Sequence, residues 1–278
     1  MKPTVYNTNS VHVESFDSFW DLLDYAEHNP NPLSSDKDDE DFSMCASLAD
    51  AISMARAGWS EVRPKVDDIF TSVADRIADR LDSRFQTLHN YSGFSVDMGR
   101  YLQGDPECML DYVPEEQRAM GRVVKIVFNV ACPYYIPAET ILRRGVAIVA
   151  LIDTLHKLGV GIELWADESI DGRNGGKFSN RCKIHESSQM LDINSVMFAV
   201  AHPAMLRRVL FSMQEQSKLA DKQGAKVGGG YGIPVDIHRN AGLDFDVVVD
   251  KLTEDKDFMT TDPVGWVLST VSGLGLTD

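Results

Sequence analysis

Four cysteines in 278 residues, Cys45, Cys108, Cys132 and Cys182, are too few and too scattered for a disulfide framework or a cysteine-ligated metal. They read as buried free thiols in a reducing compartment. His156, His185, His202 and His238 are spread widely, and no HxH, HxxxH or HExxH occurs. A Cys132–His dyad stays open, because such partners are distant in sequence, but no motif supports it. The longest dense apolar run, VAIVALI at 146–152, falls far short of the roughly 20 residues that a membrane span needs. The opening MKPTVYNTNS lacks an apolar stretch after its lysine, so no secretory leader is expected. These absences predict a soluble cytoplasmic protein, without metal or cofactor, and no enzyme.

Positive charge is scarce overall but unevenly so. The net charge is −15; residues 1–60 hold −8 of it, residues 243–278 hold −6, and the middle of the chain holds only −1. The acidity of the ends favours solubility, and the middle is free to present a basic face. With 44% hydrophobic residues the chain has ample material for a core.

Periodicity predicts helices over 14–28, 47–59 and 64–81, separated by a proline- and acid-rich loop at 29–41, so residues 1–85 read as a mainly helical, acidic portion. Residues 85–112 are mixed, with turn signals. From 122 the texture becomes strand–helix–strand, with RVVKIVFNV, a helix between Pro137 and Gly159, and VGIELWA at 160–166. A glycine-rich loop at 171–180, a strand at 181–188, a helix over 193–216 broken at Pro203, a second glycine-rich loop at 224–234, a strand at 245–252 and a helix at 262–274 follow. The expectation is an α/β domain over 86–278, with a parallel or mixed sheet and flanking helices.

In such a sheet ligands bind outside the carboxyl ends of the strands. Here the first strand of the unit runs into ACPYY, with no acid pair, hydroxyl pair or glycine loop. Tyr134 and Tyr135 stand at that edge, where flat rings stack bases or plug a crevice, and Arg143 and Arg144 follow on the next helix. DGRNGGKFSN (171–180) has Asp171 and Phe178 where a P-loop needs Gly and Ser or Thr, which excludes that phosphate loop. Its Arg173 and Lys177, with Phe178, and Arg181 and Lys183 just beyond, suit the electrostatics of a single-strand groove. Lys226, Tyr231 and Arg239 offer a second such group around the 224–234 loop.

Two resemblances bear on function. The order of strand, long apolar helix and strand resembles a von Willebrand factor A-type domain, a family that binds a divalent metal through DxSxS at the end of the first strand. Asn129, Ala131 and Pro133 occupy those positions, so the resemblance implies the fold without its metal, and a protein-interaction domain partnering an ATPase or other protein. RAGW (56–59), VDMGRYLQGDPECM (96–109) and FAVAHPAMLRRVLF (198–211) resemble a group of bacteriophage proteins, the Drc-like single-stranded-DNA-binding RNA polymerase cofactors of N-four-like phages. That resemblance implies single-stranded DNA and a phage RNA polymerase as partners, a role in transcription regulation, and the host cytoplasm as location. It supplies no motif that fixes binding residues, so the twelve candidates above rest on their chemistry alone. Whether the chain forms a homo-oligomer stays open.

Overall fold

The computed structural model describes residues 2–29, 40–81, 85–91, 95–114, 121–225, 230–239, 242, 244–254 and 257–276. The chain begins in strand. Thr4–Thr8 (β1) and Val11–Phe16 (β2) form an antiparallel hairpin turning through Asn9 and Ser10, whose φ angles are +48° and +68°, as a two-residue hairpin turn demands. Residues 14–16, expected to open a helix, therefore complete β2. The period-two alternation of VHVESF overlaps the helical spacing that follows it, and tertiary pairing decides between them. Helix α1 (Phe19–His28) starts behind Ser18, whose Oγ accepts the Trp20 N–H.

Helices α2 (Glu40–Ser43), α3 (Leu48–Ala57) and α4 (Arg63–Leu81) follow. A small antiparallel sheet comprises β3 (Phe85–Asn90), β4 (Ser95–Val96) and β5 (Met109–Pro114), with α5 (Met98–Leu102) between the last two. The main unit then runs β6 (Val123–Asn129), α6 (Ala138–Lys157), β7 (Gly161–Asp171), β8 (Lys177–His185) and α7 (Ile193–Ala201). Pro203 breaks the expected long helix. The segment beyond it, a π-helical Met205–Leu210 continuing into α8 (Phe211–Gln216), is bent 70° from α7. Helix α9 (Lys218–Lys222), β9 (Ile233–Pro234), β10 (Val247–Val249), α10 (Phe258–Thr261) and α11 (Pro263–Gly273) complete the fold.

The protein is α/β, and its sheet is mixed. The order is β1-β2-β8-β7-β6-β10, with β9 pairing the end of β7. β6 runs parallel to β7 and β10, and β2 parallel to β8; the pairs β7–β8 and β1–β2 are antiparallel. The N-terminal hairpin thus extends a sheet whose centre lies more than 100 residues away. One sheet face, with Phe16, Val124, Ile126, Phe128, Leu164, Ala166 and Cys182, packs into a continuous core with α1, α3, α4, α6, α7 and α11. On the other face Val127 and Trp165 pack with Ile237 from the connection that follows β9, with Phe245 against them. Helices α6 and α7 touch backbone to backbone at Gly145, where a Cβ would lie 2.2 Å from the Ala201 Cα. Among the described residues no single helix is long and apolar enough to cross a membrane.

Candidate functional site

Four segments meet at the carboxyl edge of β6 and β7. They are the 130–137 turn into α6, the tip of the β7–β8 hairpin, the residues around β9, and the residues just past β10. Asn129 ties two of them together. It is fully buried, its Oδ1 accepts the Ala131 N–H at 2.9 Å and its Nδ2 donates to the Val235 carbonyl at 2.7 Å. Lys251 Nζ donates to the Pro234 carbonyl at 3.1 Å, which brings in the residues after β10.

The rings of Tyr134 and Tyr135 stand out from this edge. They are 83% and 63% exposed, their centroids 5.7 Å apart at an interplanar angle of 80°. They do not plug the crevice. Arg143, Arg173 and Lys177 are exposed too, the first on the opening turns of α6 and the other two at the hairpin. That hairpin is tighter than a flexible loop. Gly172 N–H donates to the Gly176 carbonyl at 2.7 Å, and a Cβ on Gly172 would fall 1.8 Å from the Gln223 carbonyl oxygen, so only glycine lets the tip seat on the end of α9.

The rest of the candidate set is turned inward, engaged by other side chains or outside the described residues. Phe178, expected in a loop, belongs to β8 with Arg181, whose strand starts earlier than expected, because β7 and β8 run on through most of 171–180. Alternation then turns Phe178 inward onto Ile170, Ala131 and Ala220, with no exposed surface. Arg181 points to the opposite face, where its Nε donates to Asp167 Oδ2 at 2.7 Å; Ser169 and Ser179 hydroxyls donate to the same carboxylate. Both partners are buried, so Arg181 neutralises an internal acid and no phosphate. Lys183, half-buried, sits 5.0 Å from the Trp165 ring and pairs with Glu186 at 2.6 Å. Arg144 is buried, unlike Arg143 beside it. Tyr231 stacks on Phe211 at 3.7 Å between centroids and donates to Glu215 at 2.5 Å, so its face is occupied. Arg239 is exposed and paired with Asp250 at 3.0 Å. Lys226 lies outside the described residues.

The sequence reading missed several buried polar groups. Glu14, Asn180 and Glu168 stand side by side in register on β2, β8 and β7, facing the helices. Burial pushes the Glu168 carboxyl up to about 8, outweighing the pull of the Asn180 amide, with Asp167 adding to the rise. Burial also raises Glu14, against the hydrogen bond from Ser217. His202, stacked on Phe198 and edge-on to Trp59, is held down to about 4 by burial alone. Burial raises the Cys132 thiol although Arg207 and Arg144 pull it down. The available signal was a charged residue inside a strand pattern, as in ELWADESI. Among the described residues no group of three or more His, Cys, Asp or Glu is placed to hold a metal.

Comparison with known proteins yields one match. Residues 4–278 fit the family model described as Domain of unknown function (DUF7192). No curated protein and no solved structure matches. The match covers nearly the whole chain, and the protein therefore belongs to the DUF7192 family.

Proposed function

We propose that this protein binds single-stranded DNA, without catalysis, at the carboxyl edge of its main sheet, and that it brings a phage RNA polymerase to that DNA. The observation that carries the binding is the pair of exposed rings, Tyr134 and Tyr135, projecting from the β6–α6 turn. Exposed flat rings stack unpaired bases irrespective of sequence. Arg143, Arg173 and Lys177, exposed on α6 and at the β7–β8 hairpin, supply cations for the backbone. The polymerase and the phage setting come from the resemblance to the N-four-like phage cofactors. The ring-bearing turn is held from below by the Asn129 side chain, so the rings sit on a fixed base.

The test is fluorescence anisotropy with single- and double-stranded oligonucleotides at low salt. The wild type should prefer the single strand. Changing Tyr134 and Tyr135 together to Leu should weaken single-strand binding at least tenfold, about 1.4 kcal/mol, with an unchanged melting temperature. Changing Arg173 and Lys177 to Ala should flatten the log–log salt slope by roughly 0.7 per lost contact. A wild type that binds no single strand overturns the proposal. The net charge of −15 then favours the second reading, a metal-free A-type-like domain that docks another protein at the same edge.

A further inference from the structure

Tyr134 and Tyr135 are the two central residues of a tight turn. The Ile136 N–H donates to the Pro133 carbonyl at 3.1 Å, which closes it. Pro133 and Pro137 bracket the turn, and each ring fixes its own φ. Ile136 is 3% exposed and packs with Cys132, Leu206 and Leu252. Its carbonyl accepts from Nη2 of the buried Arg207 at 2.6 Å. The backbone that carries the two tyrosines is therefore anchored beside them.

The tyrosine rings meet edge to face, 5.7 Å apart at 80°. That is a favoured arrangement of two aromatic rings, so the pair supports its own angle. Both rings stay largely open, and their free faces stand at nearly a right angle to each other. Neighbouring bases of a stacked strand lie parallel and about 3.4 Å apart. Two faces at 80° therefore match no stacked pair of bases. One ring alone accepts any unpaired base. Two such rings take neighbouring bases only when the stack between those bases is broken. Breaking it costs more in runs of adenine than in runs of thymine, which stack weakly on one another and leave the backbone flexible.

On the reading that this edge binds single-stranded DNA, we propose that Tyr134 and Tyr135 form a base-splaying wedge. It holds two neighbouring bases apart at a steep angle, and it thereby selects weakly stacked, thymine-rich strands over adenine-rich ones.

The experiment measures the affinity of the full chain for labelled oligo(dT) and oligo(dA) of equal length, by fluorescence anisotropy at low salt. The wild type should bind oligo(dT) about three- to tenfold more tightly. Tyr134→Leu and Tyr135→Leu, made singly, each leave one ring, which stacks a base without splitting a neighbouring pair. Each variant should bind more weakly, keep its melting temperature and lose the preference for oligo(dT). A second measurement uses the wild type alone. Short oligo(dA) has a circular-dichroism band that arises from stacked adenines, and that band should fall as the protein binds. Equal affinity for the two strands, a preference that survives in either single variant, or a band that stays intact on binding, each overturns the wedge and leaves single-strand binding standing. A wild type that binds neither strand overturns the DNA reading and the wedge with it.

Discussion

Glu168→Gln should stabilise the protein in alkaline solution and leave it nearly unchanged in acid. Glu168 lies on β7 at 1% exposure, beside Asn180 of β8 and facing the helices, with its Oε2 without a hydrogen-bond partner among the described residues. Its carboxyl has an ordinary value of 4.5 and is pushed up to about 8 in the fold, mainly by loss of water. The folded protein therefore holds a proton that the unfolded chain releases. Stability is fully present below pH 4.5 and is lost as the pH rises towards 8. At about 1.4 kcal/mol per unit the ceiling on that loss is roughly 5 kcal/mol, and local relaxation and water entry reduce it to an expected 2–4 kcal/mol. Glutamine keeps the shape and cannot ionise. Urea unfolding of both proteins at several values between pH 5 and pH 8.5 gives the difference directly; Glu14 and His202 titrate in both and cancel. The two curves should coincide within about 1 kcal/mol near pH 5 and separate steadily above pH 6, with the variant the more stable. A difference that stays constant with pH would refute the reasoning. A wild type that gains on the variant as pH rises would show that Glu168 is ionised and paired.

The Asp167–Arg181 pair is buried on the other sheet face, so Asp167→Asn should cost roughly 3–5 kcal/mol in urea unfolding by stranding the guanidinium. Replacing both, with Asp167→Leu and Arg181→Met, should recover most of that loss without changing single-strand affinity, which separates Arg181 from the proposed DNA site. Gly145→Ala should destabilise by about 2 kcal/mol or more, because its Cβ would strike the Ala201 backbone and α6 and α7 would have to part; an unchanged urea midpoint would refute the close approach.

How much was legible in the sequence follows local and non-local causes. β6, α6, the break at Pro203 and the α/β class were readable because each rests on the residues of one short window: β-branched runs, a proline at a helix start, a proline inside one. The exposed pair Tyr134–Tyr135 was readable as chemistry, and its exposure was not. Tertiary structure alone decided which cations face water. Arg143 and Arg144 are neighbours, yet one is exposed and the other donates to a carbonyl 106 residues away, at Asp250. Phe178 differs from a surface loop only because β8 pairs with β7 and β2 through that position, and pairing is a property of three segments together. The first strands were hidden for the same reason, since β2 needs β8, 166 residues on, before its alternation outweighs the helical spacing beside it. Local propensity is written in a window of the chain; burial is set by what the far ends of the chain bring to the same place, and that decides whether a charge serves as a ligand site or as part of the core.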